Sequence, residues 1–244
     1  MIYTLTMNPA LDYIMELDSL NIGGLNRAKS TRIEPAGKGI TVSRALDSLG
    51  VENIAIAAPV EKPRINVKLH CGGEITEVNG TCELGAGELA KIRDRLGELK
   101  TGDILIASGS LPLGVEADFY AQIARELSAK GVCVIVDTSG EPLRRVAQEN
   151  HAFLIAPNEV EFADINECNC NVLLSLGAKG AKFTGINGEE YFCPVQQISE
   201  NGYTIGAGDT LLAGFVAEWV KSKDFEKALN AGVELSCKYV SQGL

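Results

Sequence analysis

The chain has 244 residues, 45% of them hydrophobic, and its 32 acidic against 22 basic side chains give a formal charge of −10. That length and apolar content suit one large α/β core better than two independent ones. With no local run of basic residues, the charge argues against a nucleic-acid or anionic-membrane partner. The opening "MIYTLTMNPALDYIMEL" lacks the basic flank, apolar block and cleavage site of a secretory leader, and no apolar run reaches membrane-spanning length, so a soluble cytoplasmic protein is expected. Seven scattered cysteines without a repeated CxxC spacing read as reduced thiols, and the "CNC" at 168–170 has no neighbouring partners with which to hold a metal.

Along the chain, two stretches alternate apolar and polar residues around Gly-rich turns: "LDYIMELDSLNIGGLNRAKSTRIEP" (11–35) and "RINVKLHCGGEITEVNG" (64–80). The alternation predicts antiparallel strands with one wet face. Together they read as a small sheet apart from the main core, forming a lid or a dimerisation surface over 12–34 and 64–80, or else an edge extension of the main sheet. "NIAIAA" (53–58), "DILIASG" (103–109), "VCVIVDTSG" (132–140), "AFLIAPN" (152–158) and "NVLLSLG" (171–177) are short blocks apolar on both faces, as in strands of a covered parallel sheet. Between them, "GELAKIRDRLGELK" (87–100), "VEADFYAQIARELSAKG" (115–131) and "EPLRRVAQEN" (141–150) carry apolar residues at helical spacing. The expected fold is therefore a single doubly wound α/β domain over residues 1–244. Its ligands should bind beyond the carboxyl ends of the strands, where "SGS", "DTSG", "APNEVE" and "SLGAKGA" fall.

Three short stretches carry candidate chemistry. "TIGAGDTLLAGF" (204–215) sets a tight glycine turn at a helix start, where unpaired N–H groups attract an anion, and places Asp209 in the first turn. Taken alone, Asp209 fits a carboxylate that merely complements the helix dipole. "EPAGKGITVSRALDSLG" (34–50) repeats the turn-before-helix pattern with Lys38 inside it, which fits either a second anion site or a solvated lysine. "APNEVEF" (156–162) spaces Asn158 and Glu161 three apart. On local sequence this reads first as a capping box and second as a pair holding the water shell of Mg²⁺.

In this order, "TMNPALD", "AGKGITVSRAL", "RINVKL", "GSLPLGV", "DTSGEPL", "PNEVE", "LGAKGA" and "IGAGDTLLAGF" resemble the successive signatures of the ribokinase-like (PfkB) carbohydrate kinases, over nearly the whole chain. "NPALD", "LNRA", "RINVKL" and "ITEVNG" resemble bacterial 1-phosphofructokinases most, with tagatose-6-phosphate kinases close behind. The resemblance implies ATP-dependent phosphorylation of a ketose phosphate with Mg²⁺. Fructose 1-phosphate is the first candidate, with tagatose 6-phosphate or fructose 6-phosphate as alternatives, and a catalytically silent sugar-phosphate-binding paralogue is the reading from another class.

By the same resemblance, Asp209 is the base and the amides of Gly206, Ala207 and Gly208 stabilise the transferring phosphoryl group. Asp12 meets the substrate hydroxyls, Gly37 and Gly39 approach the substrate closely, and Lys38 and Arg64 lie near its phosphate. Ser175, Gly177 and Gly180 receive ATP, while Asn158 and Glu161 are tied to Mg²⁺ through water. A homodimer through the small sheet is implied too. Thr41 stands where the pattern has Asn, a sugar-contacting position, and Ala156 stands where relatives often have Lys. Between "NIAIAA" and "PRINVKL" the family's Gly-Gly loop and a whole helix are missing, and further shortfalls follow "EFADINE" and the C-terminus. Because a parallel crossover needs a dozen or more residues, a true deletion is expected to break the sheet. Additional residues at these points, and an intact mass well above 26.0 kDa, are therefore expected.

Overall fold

The computed structural model describes residues 1–195 and 204–242. Its larger sheet has the strand order β12-β11-β10-β9-β8-β7-β1-β4. These strands are β1 (Ile2–Thr6), β4 (Asn53–Ala57), β7 (Ile104–Ser108), β8 (Cys133–Asp137), β9 (Leu154–Ile155), β10 (Asn171–Ser175), β11 (Ala181–Thr184) and β12 (Glu190–Cys193). From β4 to β10 all neighbours run parallel, while β11 and β12 add an antiparallel edge.

The strand period of two divides the core into two layers. On one face Leu5, Leu105, Ala107, Val134 and Val136 pack beneath α2 (Ala86–Gly97), α3 (Phe119–Ser128) and α4 (Gly140–Gln148). On the other, Ile2, Ile104, Ile106, Ile135 and Leu173 pack beneath α1 (Lys38–Ser48), α6 (Ala207–Ser222) and α7 (Phe225–Gln242). Each fully buried Leu or Ile in these layers contributes about 1.5–3 kcal/mol. The doubly wound reading is thus confirmed. "AFLIAPN" pairs as a strand only over Leu154–Ile155, because Pro157 has no N–H and starts the turn into α5 (Glu159–Ala163). The two antiparallel edge strands and α7 were not foreseen from the sequence.

The smaller sheet has the order β3-β2-β5-β6, from β2 (Ala10–Leu17), β3 (Ser30–Ala36), β5 (Arg64–Cys71) and β6 (Glu74–Asn79). The hairpins β2-β3 and β5-β6 are antiparallel as expected, but β2 and β5 run parallel. Both hairpins rise from the carboxyl end of the main sheet, after β1 and β4, so their inner strands start from the same edge. Ile33, Tyr13, Val67 and Val78 form one apolar row across all four strands. Ile33 and Val78 are about 60% exposed.

The expected break in the sheet does not occur. After β4 the chain crosses, through residues 58–63, into β5 of the other sheet, and a link between two sheets needs no crossover helix. β9 returns to its parallel neighbour β10 through α5 and a loop, a span of 15 residues, which is long enough for a parallel connection. Sheet topology therefore requires no residues beyond those present.

Candidate active site

At the N-terminus of α6, Gly206 is the cap residue with φ 89°, a left-handed conformation that a side chain would strain. The Ala207 amide donates to the Thr204 carbonyl at 3.1 Å. This amide is committed inside the turn, which corrects the expectation that the Gly206, Ala207 and Gly208 amides all face an incoming phosphoryl group. A Cβ on Gly208 would meet nothing within 4 Å, so the turn is open on that side.

Asp209 follows in the first turn and is only 6% exposed. Its carboxyl lies beside that of Asp137, at the carboxyl end of β8, and Asp137 accepts from Lys38 Nζ at 3.0 Å. Burial, with the Asp137 charge beside it, pushes the Asp209 carboxyl up to about 8 against the pull of the Lys38 ammonium. Burial alone would lower the Lys38 ammonium, but the charges of Asp137 and Asp209 outweigh it and hold it above its usual value. Three elements that are distant in sequence thus place an acid pair against a fixed cation. Asp137 went unassigned in the sequence reading. Its signal was the acid closing the apolar run "VCVIVD" where ligands bind.

A cavity of about 470 Å³ opens beside this turn. Ala207 and Gly208 form part of its wall, with Asn158, Ser175, Gly177 and Gly180 opposite and Val233, Ser236, Cys237, Val240 and Ser241 of α7 closing it. All three residues expected to receive a nucleotide therefore line one space. Gly177 has φ 57° with open room beyond its Cα, whereas a Cβ on Gly180 would lie 2.0 Å from the Cys193 carbonyl. Asn158 and Glu161 form a full capping box: Glu161 N donates to Asn158 Oδ1 and Asn158 N to Glu161 Oε2, both at 2.9 Å. Among the described residues no group of three or more His, Cys, Asp or Glu side chains converges to hold a metal.

On the side of the small sheet, Asp12 is buried, accepting from Asn66 Nδ2 at 2.8 Å and pairing with Lys68 Nζ at 2.7 Å. Its carboxylate is held in the sheet by two residues of "RINVKL" that the sequence reading did not single out. Arg64 stands at the foot of β5, its Nε buried without a partner. At Gly37 and Gly39 the close approach is to β1: added Cβ atoms would lie 2.5 Å from Thr6 Cγ2 and 2.6 Å from the Leu5 carbonyl. Thr41 Oγ1 donates to the Gly37 carbonyl at 3.3 Å. Where the two sheets join, Asn8 Nδ2 donates to Ser110 Oγ at 3.0 Å and Cys82 Sγ to Asn8 Oδ1 at 3.1 Å.

A doubly wound sheet carrying a small four-stranded sheet, with a cavity walled by a glycine turn and, next to that turn, a buried acid and a lysine, defines a sugar phosphotransferase of ribokinase-like fold. The chain belongs to the pfkB family of carbohydrate kinases, whose family model matches residues 64–243. It is 31% identical to the 1-phosphofructokinase of Borreliella burgdorferi over 278 aligned positions, covering 96% of this chain and 89% of the relative. To the 1-phosphofructokinase of Bacillus subtilis it is 33% identical, covering 96% and 90%. To a tagatose-6-phosphate kinase of Staphylococcus epidermidis it is 31% identical, covering 94% and 88%. These alignments run longer than the 244 residues of the chain, so the relatives carry segments that it lacks. Among solved structures, a putative phosphofructokinase from Staphylococcus aureus superposes with a TM-score of 0.82 at 28% identity, covering 100% of this chain and 92% of the other. Phosphofructokinase-2 from Escherichia coli, at 23% identity and TM-score 0.87 over 98% and 92%, shares the fold.

Proposed function

We propose that this kinase transfers the γ-phosphoryl group of ATP to a ketose phosphate, with fructose 1-phosphate giving fructose 1,6-bisphosphate as the leading reaction. The observation that carries the reading is the buried Asp209, set beside Asp137 and its Lys38 partner, on the helix turn whose Ala207 and Gly208 wall the cavity. The mostly apolar cavity suits a nucleotide base, and the open glycine faces at Gly177 and Gly208 let phosphates approach the main chain. Asp209 accepts the proton of the attacking hydroxyl, and its raised proton affinity makes its ionised form a stronger base than an ordinary carboxylate, a form that becomes abundant as pH nears about 8. Lys38 offers positive charge to the transferring or resident phosphate in a chain that is otherwise acidic.

Mg²⁺ bound to the nucleotide phosphates would neutralise charge on them, and a sparse protein donor set suits an ion that keeps most of its waters. The acids at hand are Asp137 and Glu161, the latter with one oxygen already given to the cap. Arg64, and Asp12 with its Asn66 and Lys68 partners, are assigned to the sugar phosphate, which makes the small sheet a lid. The apolar row of that sheet supports a homodimer formed through it. No helix among the described residues is long and apolar enough to cross a membrane.

The similarity to a tagatose-6-phosphate kinase favours that substrate as the second reading. A coupled assay of ADP release across fructose 1-phosphate, fructose 6-phosphate and tagatose 6-phosphate separates them. The highest kcat/KM is expected with fructose 1-phosphate. Turnover with none of the three, despite sugar-phosphate binding, would establish the silent paralogue instead.

A further inference from the structure

The last helix, α7, does more than close the cavity. Val233, Ser236, Cys237, Val240 and Ser241 recur at spacings of three and four, so they form one continuous face along the cavity wall. From this face Ser236 Oγ donates to the Ala207 carbonyl at 2.9 Å, the same carbonyl that accepts from Thr210 Oγ1 at 2.9 Å. Three residues on, Tyr239 Oη donates to the Ile205 carbonyl at 2.7 Å. The tyrosine also lies against Gly206, where an added Cβ would come 2.8 Å from Oη and 3.2 Å from Cζ. Two α7 hydroxyls thus hold the main chain on both sides of the left-handed Gly206, the residue that sets the direction of the turn carrying Asp209. The spacing between the helices is fixed as well: a Cβ on Gly214 would sit 2.9 Å from Gly232 Cα, and one on Gly232 would sit 2.6 Å from the Leu211 carbonyl.

We infer that Ser236 and Tyr239 are positioning residues that couple filling of the cavity to the geometry of the Gly206–Asp209 turn. A ligand seated on the α7 face presses on the helix whose hydroxyls grip that turn, so nucleotide binding and alignment of Asp209 become one event. The inference rests on the kinase reading for its effect on turnover but not for the coupling itself. The test uses the full chain with Tyr239→Phe, Ser236→Ala and the double variant, each checked for an unchanged melting profile. Hydrogen–deuterium exchange of peptides covering 204–211 is followed with and without ADP. ADP affinity is measured by calorimetry, and kcat and KM by ADP release.

ADP is expected to slow exchange at 204–211 in the parent chain and to lose that effect in the double variant, while its affinity changes by no more than about twofold. In turnover, kcat should fall about three- to tenfold per hydroxyl, the range spanned by loss of one ordinary hydrogen bond, with KM for the sugar phosphate unmoved. Equal ADP-induced protection in the parent and the double variant, or a change confined to KM, overturns the inference. Turnover with no ketose phosphate alongside intact coupling in exchange would overturn the kinase reading and leave this inference standing.

Discussion

Replacing Asp209 by Asn should abolish most turnover and, at the same time, stabilise the protein. In the native chain this carboxyl is raised from 3.8 to about 8, by burial first and by Asp137 second. Below about pH 4 the native and unfolded chains are both protonated here and the site has no cost. As pH rises towards 8 the unfolded chain releases the proton and the native chain keeps it, so native stability declines across that window. At about 1.4 kcal/mol per pH unit, the burden at pH 7 reaches about 4 kcal/mol. That figure already contains the attraction to Lys38; an amide that fills the place of the protonated carboxyl imperfectly returns part of the gain, leaving a net of about 1–3 kcal/mol for Asp209→Asn. In a chain of this size that is a rise of about 2–10 °C in Tm.

Scanning fluorimetry from pH 4.5 to 8 should show the two proteins nearly equal at the acid end and diverging as pH increases. The coupled assay should show kcat lower by about 10²- to 10⁴-fold, the usual worth of a general base. In the parent chain kcat/KM should climb with pH towards about 8, because the free enzyme must shed this proton to act. A variant that is less stable at every pH would mean that the carboxylate is held as an ion pair with Lys38 rather than strained by burial. Undiminished turnover would remove the base.

Arg64→Ala should raise KM for the sugar phosphate by about tenfold or more, the worth of one charged hydrogen bond, and leave ADP affinity by calorimetry unchanged. A matching loss of ADP affinity would move Arg64 to the other side of the site. Gly232→Ala should lower stability by up to about 2 kcal/mol in denaturant titration, since main-chain crowding of about 1–3 kcal/mol is set against a helix-propensity gain of about 1. Gly87→Ala, where a Cβ meets nothing within 4 Å, should be neutral or better. Asn158→Ala should cost about 1 kcal/mol through loss of the cap, whereas Asn158→Asp keeps the acceptor and hence the Tm. If Asn158→Asp lowers Mg²⁺-dependent turnover as far as Asn158→Ala does while keeping the parent Tm, the amide acts on the metal rather than on the helix.

Much of the fold was legible because the parallel strands announce themselves. Runs such as "ILIAS" and "CVIVD" have no polar face, and only a sheet covered on both sides accepts them. The small sheet was legible for the opposite reason, since Tyr13, Val67 and Val78 alternate with Asp12, Asn66, Lys68 and Glu77. What periodicity could not supply was strand direction, and β2 and β5 turned out parallel because their hairpins share a starting edge. At the site, the glycine turn and Asp209 stood out in sequence, but Asp137 did not. Its role depends on meeting Lys38 and Asp209 across separations of 99 and 72 residues, and only folding reveals such a meeting. Ser236 and Tyr239 were silent for the same reason: a serine and a tyrosine on an amphipathic helix carry no local mark of the carbonyls they grip.

The route from β4 to β5 steps off one ladder and onto another without turning back. Chain spliced in or out at that junction therefore leaves every existing strand pairing in register, in contrast to an indel inside a βαβ unit, which would tear a neighbour away. This explains how a kinase can be shorter than its relatives and still present its acid, its lysine and its glycine turn in working order. The seam tolerates a change of length, and the chemistry sits elsewhere.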